Sequence, residues 1–172
     1  MKPNFSKLSD RVLSQYNTGE TFKLVSSKAI ETNDGHISNI QSICNEPLVY
    51  KWLFTKRFPQ GYTHIDAKEF ISWSNKGWDN GEYFVFFIVS KNDEIVGAMD
   101  IKSNKLDAAE IGYWVSASYP GLATNAVNEL KSIAKEAGYL KLFAQTESAN
   151  EKSNQLLLRA GFKADRNFLK SI

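Results

Sequence analysis

The sequence predicts one α/β domain built on a mixed, mostly antiparallel sheet with helices on both of its faces. Three consecutive apolar runs, separated only by short polar turns, are typical of an antiparallel meander. Segments with helical spacing of apolar residues lie before and after these runs. At 172 residues the chain is long enough to bury a core and short enough for a single domain. The predicted order of elements is β-α-α-β-β-β-α-β-α-β.

The first part of the chain contributes one strand and two helices. Residues 1–20 are polar and loosely patterned, which predicts an N-terminal arm or a short helix. Thr21–Ser26 has the sequence TFKLVS, which is typical of a strand. Asp34–Cys44 has isoleucines at helical spacing and is predicted to be a helix. The stretch 45–60 is aromatic but irregular, and Thr63–Lys76 is predicted to be the second helix.

The predicted helices begin and end at recognisable residues. Thr63 can cap a helix, and Asp66 lies at the third position after this cap. Leu122–Ala137 carries apolar residues on one face and ends at Gly138, which favours a left-handed C-cap. Asn150–Ala160 is predicted to be the last helix, because a glycine follows it directly.

Five further segments are predicted to be strands, and β-branched and aromatic residues are frequent in them. They are Tyr83–Ser90, Ile95–Lys102, Ala109–Ser116, Lys141–Thr146 and Phe162–Leu169. The first three form the meander, and the last two alternate with the two C-terminal helices. Short polar turns join the strands of the meander, so these strands are expected to be neighbours in the sheet.

Composition argues against several classes of function. Lys and Arg total 21 against 19 Asp and Glu, and no basic cluster stands out, so neither nucleic acid nor a membrane surface is an expected partner. The single cysteine, Cys44, is expected to be a small buried residue. His36 and His64 lack ligand-like spacing, so no metal is expected. No segment has the apolar length of a signal peptide or a membrane span, which predicts a soluble cytoplasmic protein.

The most informative segment is a strand that leads through a tight Pro-Gly turn into a helix, from Ala109 to Ala137. Such a junction directs several backbone N–H groups and the positive end of a helix dipole toward one point. It therefore predicts a seat for a phosphate-bearing ligand. The alternative is an ordinary strand-to-helix turn, in which Pro and Gly only end the strand and allow the chain to turn.

Three short sequence motifs together resemble those of the GNAT acetyltransferase superfamily. They are AEIGYWVS, GLATNAV and TESANEKSNQLLLRAGF, in this order, and the resemblance runs from Thr21 to Phe162. The most similar group is that of the ribosomal-protein N-terminal acetyltransferases. The resemblance implies a GNAT fold, acetyl-CoA as the acetyl donor, and a small-molecule or peptide amine as the acceptor.

The resemblance also implies where acetyl-CoA binds. In the family, pantetheine lies in a gap beside the strand that precedes the turn, and the pyrophosphate lies on the turn itself. The residues at the matching positions are Tyr113, Trp114, Val115 and Ser116 for pantetheine, and Ser118, Tyr119, Pro120, Gly121, Leu122, Ala123 and Thr124 for the pyrophosphate. The turn departs from the family pattern, because Ser118 replaces an Arg or Gln, or else two residues are missing. Pro120 also removes one N–H donor.

The N-x-x-S motif at Asn150 and Ser153 matches the start of the family's second helix after the turn. There the Asn contacts pantetheine, and the Ser can act as an acid near the leaving thiol. Many relatives carry a tyrosine acid four residues after this Ser, but this chain has Leu157, so Ser153 is the only acid that the motif offers. Asn150 can equally be a helix N-cap, and Ser153 an ordinary polar residue of the first turn.

Glu110, at the start of the strand, is the best candidate for a general base that takes the amine proton. The alternative is a solvent-exposed carboxylate at a strand edge, and Asp100 on the neighbouring strand is the second candidate for the base. Five aromatic residues lie where the family builds its acceptor pocket, although each can instead belong to the core. They are Trp52, Phe54, Tyr62, Trp73 and Trp78.

The C-terminal segment is short. The family has two strands after the AGF motif, whereas FKADRNFLKSI is long enough for only one strand. An uncovered sheet edge favours a homodimer in which this segment lies near the contact. The sequence therefore predicts an N-acetyltransferase that works by direct attack within a ternary complex, since no convincing nucleophile is present. The alternative is a non-catalytic acyl-CoA-binding or scaffold protein on the same fold.

Overall fold

The computed structural model describes residues 1–165, which form a six-stranded sheet with helices on both faces. The strands lie side by side in chain order, and every neighbouring pair is antiparallel except the last, which is parallel. They are β1 (Arg11–Ser14), β2 (Thr21–Ser26), β3 (Phe84–Ser90), β4 (Ile95–Ile101), β5 (Ala109–Val115) and β6 (Leu142–Ala144). The predicted mixed, mostly antiparallel sheet is thereby confirmed.

Five α-helices accompany the sheet in residues 1–165. They are α1 (Asp34–Cys44), α2 (Pro47–Val49), α3 (His64–Asn80), α4 (Leu122–Glu136) and α5 (Glu151–Arg159). The predicted cap of α3 is present: the Asp66 N–H donates to the Thr63 hydroxyl, and the Thr63 N–H donates to the Asp66 carboxylate at 2.7 Å. Gly138, with a φ of 99°, follows α4 as predicted.

Alternate residues of the central strands pack into two separate hydrophobic clusters. On β3, Phe86 and Ile88 belong to the cluster that contains α4 and α5, whereas Val85 and Phe87 belong to the cluster that contains α1 and α3. All four side chains are fully buried. Burial on both faces explains the continuous apolar run of this strand. Because helices cover both faces, the edges and ends of the sheet are the places left for a site.

The prediction for residues 1–20 is wrong in part, because Arg11–Ser14 form strand β1 rather than an arm or a helix. β1 pairs with β2 in antiparallel register at the edge of the sheet. Leu13 is buried, whereas Val12 is 66% exposed. Such a short alternation does not stand out in a polar segment, so pairing with β2 rather than local pattern determines this strand.

The stretch between α1 and α3, predicted to be irregular, is helical in its first part. Pro47–Val49 form α2, with the proline in the first turn, where its missing N–H leaves no hydrogen bond unmade. Tyr50–Phe54 continue as a π-helix, and the Thr55 N–H donates to the Tyr50 carbonyl at 3.0 Å. The segment has neither a strand period nor a helical period, so its sequence could not predict this conformation.

The other predicted helices and strands are present, with differences of a few residues at their ends, except at the C-terminus. The last predicted strand was Phe162–Leu169. Residues 162–165 form no regular element, and residues 166–169 lie outside the described part of the chain. Within residues 1–165, β6 is therefore the edge strand on its side of the sheet.

Candidate functional site

β5 and β6 pair over only part of their length. Their parallel register begins with Ala109 opposite Leu142 and ends with Ile111 opposite Ala144, whereas β5 itself continues to Val115. β6 stops there, and the chain then leads to α5. In residues 1–165, one side of the second half of β5 therefore has no strand neighbour, and the sheet opens into a gap.

A cavity of about 400 Å³ occupies this gap, and its volume is within the range of small-molecule sites. Its walls are the second half of β5 with the turn that follows, the chain after β6 with α5, and the segment of α2 and the π-helix. The structure brings most of the predicted cofactor residues to this one place. Those that line the cavity are Trp114, Val115, Ser116, Tyr119, Pro120, Gly121, Ala123, Thr124, Asn150 and Ser153.

Three backbone N–H groups at the turn have no hydrogen-bond partner among the described residues, namely those of Gly121, Ala123 and Thr124. Gly121 has a φ of 83° and is the N-cap of α4, a helix of 15 residues whose positive end lies here. Pro120 has no N–H to offer. Free donors and a helix dipole at one point are what an anion seat requires, although the turn itself carries no cationic side chain.

Two of the predicted turn residues lie away from the cavity. Leu122 is fully buried in the cluster that contains α4 and α5. The Ser118 N–H donates to the Ser116 hydroxyl at 3.2 Å, within the turn. Leu122 therefore anchors the turn to the core, and Ser118 helps to set its shape.

Sequence reasoning missed Glu46, which directly precedes α2. Its carboxylate accepts hydrogen bonds from the Ser116 hydroxyl at 2.6 Å and from the Ala117 N–H at 2.8 Å. Glu46 thus joins the α2 wall of the cavity to the end of β5. An acidic residue before a proline that starts a helix is a weak sequence signal, and it does not indicate a contact 70 residues away.

Asn150 both caps α5 and lines the cavity, since its Oδ1 accepts from the Ser153 N–H at 3.2 Å. The Ser153 hydroxyl also shares a hydrogen bond of 2.7 Å with the Tyr113 hydroxyl, a partner that lies 40 residues earlier and that no sequence pattern indicates. Burial raises the pKa of Tyr113, and the hydrogen bond with Ser153 offsets part of this shift. Leu157, at the position of the family's tyrosine acid, is buried and does not line this cavity.

Two carboxylates lie near the start of β5. Glu110 forms an ion pair with Lys102, and Lys102 lines the cavity whereas Glu110 does not. Asp100 on β4 accepts a hydrogen bond from the Gly112 N–H at 2.7 Å. A Cβ at Gly112 would lie 2.7 Å from the Asp100 Oδ1, so the absence of a side chain there makes room for this carboxylate.

Burial raises the pKa of Asp100, although Lys102 and the Gly112 N–H act in the opposite direction. The folded protein therefore binds this proton more tightly than the unfolded chain, and the stabilisation is lost as the pH rises through the raised pKa. We expect Asp100→Asn to increase the free energy of unfolding at neutral pH, because the amide oxygen keeps the Gly112 bond without a buried charge. Urea unfolding at neutral and acidic pH measures this, and the gain should vanish at acidic pH.

Of the five aromatic residues expected in an acceptor pocket, only Trp52 lines the cavity. Phe54 and Tyr62 pack against each other beside α1 and α3. Trp73 stacks on a tyrosine of the loop before β3, and Trp78 packs against the other cluster. Phe54, Tyr62 and Trp78 therefore pack in or against the two hydrophobic clusters, as the alternative proposes, whereas Trp73 is 42% exposed and belongs to neither cluster.

Residues 1–165 contain no group of three or more His, Cys, Asp or Glu side chains arranged to hold a metal ion. In the same part of the chain, no helix combines the length and the apolar character that crossing a membrane requires.

The family model of the GNAT acetyltransferase domain matches residues 30–163. Among solved structures, the microcin C7 self-immunity acetyltransferase MccE, in complex with acetyl-CoA and AMP, is 24% identical over 83% of this chain and 78% of that chain, with a TM-score of 0.66. RimJ of Mycobacterium smegmatis, in complex with CoA-disulfide, is 19% identical over 96% and 79%, with a TM-score of 0.72.

A spermidine N-acetyltransferase from Vibrio cholerae, in complex with CoA and spermine, is 15% identical over 84% of this chain and 82% of that chain, with a TM-score of 0.64. No curated protein sequence matches this chain. At these identities the structural likenesses show the fold, whereas the family model extends over most of the sequence. The chain therefore belongs to the GNAT acetyltransferase domain family.

Proposed function

We propose that this protein transfers an acetyl group from acetyl-CoA to a primary amine, by direct attack of the amine within a ternary complex. The observation that carries the proposal is the gap between β5 and β6, which lies beside the free N–H groups at the start of α4. A thioester and an amine must be held together for such a transfer, and a cavity with an anion seat at one end suits this task.

The residues of the gap suit acetyl-CoA as the donor. The second half of β5, with Trp114, Val115 and Ser116, offers backbone groups to the pantetheine arm, because no strand pairs with it on that side in the described residues. The free N–H groups of Gly121 and Thr124 are available to the pyrophosphate. Asn150 would hold the pantetheine arm from the opposite wall.

Direct attack is favoured because the chain lacks a suitable thiol nucleophile. Cys44 is its single cysteine, is fully buried beside α3 and does not line the cavity. Burial also raises the pKa of its thiol, which keeps the thiol protonated and unreactive. Glu110 is the proposed general base, and Asp100 is the second candidate.

The acceptor is proposed to be a small-molecule or peptide amine, and the protein to work in the cytoplasm. The α2 and π-helix wall supports an acceptor with an apolar part, since Leu48, Trp52 and Leu53 line the cavity there. Leu48 and Leu53 are also about half exposed, so they are available for contact at the mouth.

Calorimetric titration with acetyl-CoA, followed by a CoA-release assay against a panel of amines, tests the proposal. The panel should contain polyamines, amino acids, aminoglycosides and short peptides with free N-termini. We expect binding of acetyl-CoA and turnover with at least one class of amine. If millimolar acetyl-CoA gives no heat in the titration and does not stabilise the protein against thermal unfolding, the proposal is wrong.

A second candidate function, acyl-CoA binding without catalysis, is favoured by the positions of the catalytic groups. Glu110, the proposed base, does not line the cavity, and Leu157 stands where many relatives carry a tyrosine acid. Binding of acetyl-CoA without turnover across the whole amine panel would support this function over transfer.

Gly121→Val is expected to weaken acetyl-CoA binding by about tenfold, because a β-branched residue is strained in the left-handed region. The Cβ would also lie 2.9 Å from the Tyr16 Cβ, so the turn must move. Gly81→Val is the matched control, since Gly81 has a φ of 64°, has nothing within 4 Å of its Cβ and lies after α3. Equal affinities of the two variants in calorimetry would contradict this role of the turn.

A further inference from the structure

Tyr113 and Ser153 form a hydroxyl pair in the wall of the cavity. Tyr113 belongs to β5 and Ser153 to the first turn of α5, and their oxygens lie 2.7 Å apart. Both residues line the cavity. Ser153 is held in position because its N–H donates to the Asn150 Oδ1. The pair therefore connects the two walls of the gap.

The pair contains two hydroxyl protons but only one hydrogen bond. Neither oxygen has another hydrogen-bond partner among residues 1–165. One O–H therefore donates within the pair, and the other has no acceptor in the described part of the chain. Since a donor without a partner is costly where water is scarce, this second proton is available to a group bound in the cavity.

The two hydroxyls differ greatly as acids. A phenol ionises near pH 10, whereas a serine hydroxyl is a far weaker acid. A proton that leaves the pair is therefore lost from Tyr113, either directly or with Ser153 as a relay. Burial raises the pKa of Tyr113, so the phenol is fully protonated at neutral pH.

The charged side chains that line the cavity favour a transient negative charge on this phenol. Three of them are cations, namely Lys102, Lys152 and Arg159, and one is the anion Glu147. Leu157, in contrast, cannot donate a proton and does not line the cavity.

Resting on the proposed function, we propose that Tyr113 is the proton donor to the leaving sulfur of CoA. Once the amine nitrogen has bonded to the acetyl carbon, the C–S bond breaks and its electron pair passes to sulfur. Sulfur takes a proton from the Tyr113–Ser153 pair, which releases CoA as the thiol and leaves Tyr113 as a phenolate. The proton that the base removed from the amine returns to the phenolate through solvent, so protons balance over one turnover. Ser153 is then a positioning residue or relay rather than the acid.

The first test requires no acceptor, because it follows the thiol of bound CoA. An O–H donor beside the sulfur stabilises the thiolate, so bound CoA should ionise about one pKa unit below free CoA. Tyr113→Phe should abolish this shift while CoA still binds. The ultraviolet absorbance of the thiolate measures the shift across pH, with desulfo-CoA, which lacks the sulfur, as the blank.

Tyr139→Phe is the matched control. The Tyr139 hydroxyl donates to the Ser103 carbonyl at 2.7 Å and does not line the cavity, so its loss should leave the shift intact. Ser153→Ala should reduce the shift no more than Tyr113→Phe does. If Ser153→Ala abolishes the shift and Tyr113→Phe preserves it, Ser153 is the acid and the inference is overturned.

The second test uses an amine that the wild type acetylates. Tyr113→Phe should lower kcat by about 10²–10⁴-fold and leave the Kd of acetyl-CoA nearly unchanged. A trifluorinated tyrosine at this position, whose phenol ionises near neutral pH, should move the alkaline loss of kcat into the neutral range. If the wild type does not bind acetyl-CoA, the proposed function and this inference both fail. If the wild type transfers acetyl and Tyr113→Phe matches it, only the role of Tyr113 fails.

Discussion

Glu110→Gln is expected to lower kcat by about 10²–10⁴-fold, with little change in the affinity for acetyl-CoA. Glutamine keeps the size of the side chain but cannot take a proton from the amine. The Glu110 carboxylate contacts Lys102, which lines the cavity, so an amine bound there can pass its proton to Glu110 through a water. The rate of CoA release between about pH 6 and 9 measures the effect.

Two further variants make this prediction specific. Glu136→Gln removes a carboxylate that pairs with Arg11 at 2.5 Å, away from the cavity, and should leave kcat unchanged. Asp100→Asn tests the second candidate, whose raised pKa would make the rate increase as the pH rises through it. A wild-type rate independent of pH, together with full activity of Glu110→Gln, would exclude Glu110 as the base.

Leu122→Ala is expected to reduce the free energy of unfolding by about 2–5 kcal/mol, a large share of the 5–15 kcal/mol typical of domains. Leu122 is fully buried, and its removal leaves a cavity directly beneath the turn. The free N–H groups of Gly121 and Thr124 should also lose their fixed positions, so acetyl-CoA should bind more weakly. Urea unfolding and calorimetry measure the two effects.

Leu140→Ala provides the control for this substitution, because the Leu140 side chain is 80% exposed. Its effect on the free energy of unfolding should stay within about 0.5 kcal/mol. Similar losses in the two variants would mean that Leu122 does not anchor the turn to the core.

Local pattern was sufficient to predict most of the sheet and the long helices. The continuous apolar run of β3 and the capped start of α3 at Thr63 are signals carried by neighbouring residues, and the structure follows them closely. β1 was missed because its four residues acquire their conformation from pairing with β2. The π-helix at Tyr50–Phe54 was missed because no simple period describes it.

The parts of the site that sequence reasoning missed are contacts between residues far apart in the chain. Tyr113 was placed on the correct strand, but its bond with Ser153 depends on how α5 lies against the sheet. The bonds from Glu46 to Ser116 and Ala117 likewise depend on the packing of α2. Such distances follow from tertiary structure, so the sequence motif could indicate Ser153 as an acid without revealing the phenol beside it.

The contacts of Glu46 make the two sides of the cavity thermodynamically dependent on each other. The same carboxylate is fixed to the segment that carries Leu48 and Leu53 and to the end of the strand that leads into the turn. A ligand that displaces this α2 segment would therefore strain or break the hydrogen bond between Glu46 and the Ala117 N–H. A ligand that moves the turn would act on the α2 segment through the same bond. By linkage, two ligands bound on these two sides would each change the affinity for the other by the same factor, and substitution of Glu46 would remove its share of that coupling.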